Sequence, residues 1–283
     1  MPQTQSGTLS FPPFYGKVRA LVLINALVYF AVLLFFRNPV SLLKDVYWVY
    51  GLMPDRVFAH GYLWQLITYS FLHASISHIL FNMLALWMFG STLEQYFGGR
   101  RFLEFYFFCV VGAALVTVLL TFSAGGFLGL RPEIPTVGAS GGIYGVLLGF
   151  GYLFPNREIF MFPWPFAIKA KYLVAILILI ALATSLGGSN GVANIAHLGG
   201  ALFGYLYLKF IPGRGLGFAT SEKVYGLRNA YHRWKRRQAT KKFKVYMNRH
   251  QDDPKRFVDE SELRKMEEWD KKNRDGDPGG WVN

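Results

Sequence analysis

The sequence predicts an all-α membrane protein, a six-transmembrane-helix bundle followed by a cytoplasmic C-terminal tail. Three observations carry this. Of 283 residues, 52% are hydrophobic and 17% aromatic while only 17% are charged, against ~25% charged in an ordinary soluble domain. The charge is segregated, because 18 of the 30 Lys and Arg and 11 of the 17 Asp and Glu follow Ile211. The residues before that point form six apolar runs, and a run of ~20 residues crosses a ~30 Å hydrocarbon core. Such a composition excludes an intrinsically disordered chain, and the single cysteine, Cys109, excludes a disulfide-stapled secreted domain. The net charge of +13 alone would suggest nucleic acid as a partner. Its excess lies beside the apolar runs, so a membrane protein with a basic tail is the better expectation.

Residues 1–19 read as a short cytoplasmic N-terminus and 20–211 as the six-helix unit. The first run, 20–36, ends in Arg37-Asn38-Pro39-Val40 with no small-residue cleavage pattern, so it reads as an uncleaved helix rather than a signal peptide. The connection 38–63 is too long for a turn and too apolar for a solvated linker, with Val46, Tyr47, Trp48, Val49 and Tyr50 inside it. It is expected to fold onto the outer face of the bilayer. The remaining spans are 75–97, 102–122, 140–154, 172–186 and 193–211. The fourth and fifth are short, which neighbouring helices or local bilayer thinning can accommodate.

Six crossings put both termini in one compartment, and the basic residues choose it. With a cytoplasmic N-terminus the inner segments hold Lys17, Arg19, Arg100, Arg101, Arg157, Lys169 and Lys171, and the outer ones Arg37, Lys44, Arg56 and Arg131. Lys209 and the tail add to the inner side, so both termini are expected in the cytoplasm. In the tail, 212–283, residues 231–250 carry basic side chains and no acid, interleaved with Trp234, Phe243 and Tyr246. That stretch is expected beside the anionic inner leaflet. Residues 251–283 mix both charges and read as a short helix with a disordered end.

Polar side chains inside spans are costly and mark functional sites or satisfied interhelical contacts. Here they are His78 and Asn82 in span two with His73 just ahead, Ser140 and Tyr144 in Gly138-Ala139-Ser140-Gly141-Gly142-Ile143-Tyr144-Gly145, and His197 in Asn194-Ile195-Ala196-His197-Leu198-Gly199-Gly200. Spans two, four and six all run from outside to inside. His78, Ser140 and His197 therefore share a depth of about 5–10 Å below the outer surface, at ~1.5 Å per residue. Gly141, Gly145 and Gly149 form a small-residue stripe beside the Ser140 face, and Gly200 and Gly204 share the His197 face. Such stripes let two helices approach closely in lipid, so Ser140 and His197 are expected to meet.

A lone serine in a membrane helix more often makes an interhelical hydrogen bond. Within reach of a histidine it becomes the minimum apparatus for nucleophilic acyl transfer, with the imidazole as general base. The Ser140 backbone N–H, the Asn82 amide and the His78 ring are the candidate oxyanion donors. No Asp or Glu lies near the outer ends of spans two, four or six. A Ser-His dyad is therefore expected, with Tyr144 stacking on the His197 ring in place of an orienting carboxylate. Metal chemistry is not expected, because His73 and His78 are five residues apart and no HExxH pattern or carboxylate ligand accompanies them.

The elements Gly138-Ala139-Ser140-Gly141, His197-Leu198-Gly199-Gly200-Ala201-Leu202-Phe203-Gly204, and His73 with His78 and Asn82 resemble the three signature motifs of rhomboid intramembrane serine proteases. The resemblance runs over 20–211 and implies a rhomboid-like six-helix bundle with Ser140 as nucleophile and His197 as general base. It implies an oxyanion hole of His78, Asn82 and the Ser140 backbone, with Tyr144 packed on His197 and His73 supporting the first outer loop. Family members often carry Trp-Arg in that loop, and here the pair is Trp64-Gln65. The implied substrates are single-span membrane proteins cleaved near the outer face, with neither metal nor cofactor. The rival expectation is a catalytically inactive rhomboid-like factor that binds or escorts membrane proteins. The lone cysteine and the lack of an extra helix or targeting segment favour a prokaryotic plasma membrane.

Overall fold

The computed structural model describes residues 12–36, 42–128, 130–160, 167–185, 191–211 and 229–238, with isolated positions from 240 to 271. The chain divides into two compact units, Met1–Ala219 and Thr220–Asn283. In the second, the described residues are helical and exposed.

The first unit opens with helix α1 (Gly16–Phe35). A helix start leaves backbone N–H groups without intrahelical partners, and a carboxylate there also complements the helix dipole. The partner comes from far along the chain. The buried Glu94 carboxylate accepts the N–H of Lys17 at 2.6 Å and of Val18 at 2.8 Å. Gly16 sits at φ +68°, where a side chain would be strained and its Cβ would collide with that carboxylate. Only Val18, Leu21 and Asn25 of α1 are buried.

The first loop holds a π-helical turn (Leu42–Tyr47), α2 (Trp48–Tyr50), α3 (Pro54–His60), α4 (Gln65–Thr68) and a 3₁₀ turn (Tyr69–Phe71). Its anchor is Gln65, 0% exposed. The Gln65 Oε1 accepts the Met53 N–H at 3.0 Å, and its Nε2 donates to the carbonyls of Trp48 at 2.9 Å and Val49 at 3.2 Å. Trp64 donates to the Val49 carbonyl at 2.8 Å and Thr68 to that of Tyr50 at 2.7 Å. Glutamine in place of arginine thus holds the loop, and it supplies an acceptor that a guanidinium lacks. Leu52 and Thr136 bridge this loop to the segment ahead of Ser140.

The second apolar run is α5 (Ile76–Ala85), a π-helical turn (Leu86–Gly90) and α6 (Ser91–Phe97) in unbroken succession. Ser75 caps it, accepting the His78 N–H at 3.2 Å. The longest helix is α7 (Gly99–Leu128), which extends past the expected 102–122 at both ends. The fourth and sixth runs are α8 (Ser140–Leu153) and α10 (Gly191–Phe210), and the fifth is α9 (Ala170–Ser185). A two-stranded antiparallel hairpin, β1 (Glu158–Phe160) with β2 (Ala167–Lys169), joins α8 to α9, with Ile159 opposite Ile168. Among the described residues, three helical stretches are long and apolar enough to cross a membrane: Gly16–Phe35, Ile76–Phe97 and Gly99–Ala124. Ser140–Leu153 and Ala170–Ser185 are shorter apolar helices.

The core lies where α7, α8 and α10 meet. Phe102, Phe105, Tyr106, Cys109 and Val110 of α7 are fully buried. They press on glycines: a Cβ at Gly142 would lie 2.7 Å from Val110 and 2.8 Å from Tyr106. Cys109 is core-facing, against Gly145. The opposite surfaces carry exposed Leu27, Leu33 and Phe35 on α1 and Leu179 and Ile180 on α9. In water these would be a liability, and against lipid tails they are solvated.

Candidate active site

Three helix starts and one deep turn converge. Ser140 is the first residue of α8, so its backbone N–H has no partner within the helix. His197 lies nearly two turns into α10, one turn before Gly200. A Cβ on Gly200 would collide with the Gly141 carbonyl, and one on Gly204 would sit 3.0 Å from Gly145 Cα and O. Two backbones are therefore in direct contact, as the glycine spacing predicts. Gly149 departs from that expectation, since a Cβ there would meet Phe105 at 2.9 Å and Leu93 at 3.3 Å rather than α10.

The close approach brings His197 Nε2 to 2.8 Å from Ser140 Oγ. If the serine hydroxyl donates, Nε2 is the acceptor and the imidazole proton resides on Nδ1. That Nδ1 is buried and has no protein partner among the described residues. Among the described residues no carboxylate orients the ring. Tyr144, one turn beyond Ser140, stacks on it instead, with centroids 4.2 Å apart and planes inclined by 5°.

Gly138 adopts φ +129°, a conformation L side chains rarely take. A Cβ there would lie 2.8 Å from His78 Nε2 and 3.6 Å from Ser140 Oγ, so the missing side chain lets the His78 ring close on the serine. Asn82 lies one turn past His78 on the same face, and its Nδ2 is buried with no protein partner among the described residues. Unpaired buried donors are costly, and they acquire a use if a substrate oxygen arrives.

His73 is 4% exposed and packs edge-on against His78, with ring centroids 5.1 Å apart. Burial, and then the neighbouring His78, hold its imidazole well below the ordinary value, at about 4, so it is neutral at pH 7. The Tyr47 hydroxyl donates to the His73 carbonyl at 3.1 Å, which ties the first loop to this turn. Sequence reasoning marked Gln65 only as a departure from Trp-Arg, and it missed Glu94. Glu94 follows an apolar run and reads as surface charge, and its only signal is that it is an acid one helical turn before Gly98-Gly99.

Residues 60–213 match the family model of the Rhomboid domain. The chain belongs to the rhomboid family. Together with its apolar helices, that membership makes it an integral membrane protein. Rhomboid protein 1, mitochondrial, of Saccharomyces cerevisiae is 34% identical over 145 residues, covering 50% of this chain and 40% of that protein. Rhomboid protease GluP of Bacillus subtilis is 28% identical over 160 residues, 55% of this chain and 27% of GluP. Rhomboid protease AarA of Providencia stuartii is 29% identical over 195 residues, 66% of this chain and 69% of AarA. This chain thus spans less than half the length of the yeast and Bacillus rhomboids. Relatives come from bacteria, a plant and a yeast mitochondrion, so they do not support a prokaryotic plasma membrane over other membranes.

Proposed function

We propose that this rhomboid is an intramembrane serine endopeptidase that cleaves single-span membrane proteins near the outer face of the bilayer. The observation that carries the reading is the 2.8 Å Ser140–His197 pair, held by glycine contacts and a stacked Tyr144. In this reading residues 20–211 make six crossings, with both termini in the cytoplasm. Two of the relatives being named proteases supports the class of chemistry.

The Ser140 hydroxyl passes its proton to His197 Nε2 as Oγ bonds to the scissile carbonyl carbon. Negative charge gathers on the carbonyl oxygen, where the Ser140 N–H, the Asn82 Nδ2 and the His78 ring donate hydrogen bonds. One such donor is typically worth ~3 kcal/mol in the transition state. The C–N bond breaks as the imidazolium returns the proton to the leaving amine, leaving an acyl-Ser140 ester. Water, deprotonated by His197, attacks the ester and frees the second fragment and Ser140. With no carboxylate behind Nδ1, the imidazolium rests on the Tyr144 ring and on the geometry of α10.

The test is cleavage of a model transmembrane substrate by the reconstituted protein beside its Ser140→Ala form. Cleavage and labelling by a fluorophosphonate probe should both vanish in the variant. Cleavage retained by Ser140→Ala would overturn the assignment, and a wild-type protein that neither cleaves nor labels would be the inactive binding factor.

A further inference from the structure

We propose that the helix at residues 229–238 is an anionic-lipid-binding element that lies among the phospholipid headgroups of the leaflet from which it emerges. This goes beyond the peptidase reading and does not depend on it. Within 229–238 the sequence carries Arg233, Lys235, Arg236 and Arg237 and no acid, and Lys241 follows. The segment is helical. At 3.6 residues per turn, Tyr231, Trp234 and Gln238 fall along one side, Lys235 and Arg237 flank them, and His232, Arg233 and Arg236 occupy the reverse. Tyr231 and Trp234 stack at 6.1 Å, yet they remain 56% and 57% exposed, so among the described residues the pair is a ridge without a protein cover.

The combination selects its occupant. A bare aromatic ridge wants a surface that is apolar just beneath and polar above, which is the bilayer interface where Trp and Tyr concentrate. Flanking Lys and Arg can extend their charged heads to phosphates while their stems follow the rings downward. Each basic residue near an anionic surface strengthens association about fivefold. Basic and aromatic residues also serve single-stranded nucleic acid. Covalent attachment decides between the two partners. Residues 212–228 link the helix to the end of α10, and a chain of that length reaches at most ~60 Å. Headgroups are therefore always present at high effective concentration, while nucleic acid must arrive from bulk.

The experiment uses the full chain reconstituted into vesicles of phosphatidylcholine alone, or with about one third phosphatidylglycerol to supply anionic surface. Amide hydrogen exchange of residues 229–238 is read by mass spectrometry. Exchange should slow about tenfold or more in the anionic vesicles, and added salt should reverse the effect. The double change Lys235→Gln, Arg237→Gln should abolish the difference, with an unchanged thermal midpoint showing that the membrane unit is intact. Trp234→Ser should reduce protection in the anionic vesicles. Equal exchange in both vesicle types would overturn the proposal. So would protection that appears in neutral vesicles only when a single-stranded oligonucleotide is added, which would make the helix a nucleic-acid element.

Discussion

Replacing Gly200 with alanine tests whether backbone contact between α8 and α10 sets the Ser140–His197 distance. The added methyl collides with the Gly141 carbonyl, and a normal C···O approach of ~3.3 Å requires the helices to part by more than ~1 Å. His197 is one turn from Gly200 on the same rigid helix and moves with it. The 2.8 Å pair would then open to ~4 Å, outside hydrogen-bond range. Overpacking of this kind costs about 1–3 kcal/mol, and a misplacement of ~1 Å at a reacting centre can cost ~100-fold in rate. Gly204→Ala is the graded control, because its Cβ would meet Gly145 at 3.0 Å and needs only a few tenths of an ångström. Thermal unfolding in detergent and the rate of fluorophosphonate labelling measure the two effects separately. Gly200→Ala should label about 100-fold more slowly, and Gly204→Ala should lie between it and wild type. Wild-type labelling by Gly200→Ala would refute the reasoning, because the helices would then not be set by that contact.

Other outcomes follow from the same geometry. Gln65→Ala leaves the Met53 N–H and the Trp48 carbonyl without this partner, while the Val49 carbonyl keeps the Trp64 indole, at ~1–3 kcal/mol per buried orphan; faster amide exchange at Met53 is the check. Gln65→Arg should not restore the Met53 protection, because a guanidinium cannot accept that N–H. Tyr144→Phe should keep cleavage within about twofold, since the ring carries the contact, and Tyr144→Ala should lower kcat by roughly tenfold or more through a looser imidazole. Glu94→Ala removes the acceptor for two helix-start N–H groups and should cost ~1–3 kcal/mol, read as a lower unfolding midpoint.

The helices were legible because lipid leaves so few solutions. Backbone polar groups must be satisfied within each segment, so a long apolar run in this chain is a helix, and the ends fall within a few residues of the expected ones except in α7. The Ser140–His197 meeting was legible for a different reason. Gly141 and Gly200 announce a close approach, and depth along the spans supplies the second coordinate. What escaped depends on partners distant in sequence. Gln65 reads as an ordinary polar residue until the backbone of 48–53 folds over it, and Glu94 until the start of α1 arrives. The π-helical turn Leu86–Gly90 begins inside the uniformly apolar stretch 83–89, so no residue type marks its start. The hairpin of Glu158–Phe160 with Ala167–Lys169 was hidden in a largely apolar gap, 155–171, between two spans.

The Glu94 cap also orders events during synthesis. Lys17 and Val18 precede their acceptor by 77 and 76 residues, so α1 leaves the ribosome well before the group that closes its foot exists. Until Glu94 follows, the first N–H groups of α1 must stay hydrated at the aqueous edge, because the bilayer interior offers them nothing. On the proposed six-crossing topology, the first helix can therefore be inserted early but docked only later, when the second run has crossed and brought its carboxylate back to the same edge. Truncated nascent chains ending before Glu94 would carry α1 as a solitary span, and chains ending after it would carry the first fastened pair.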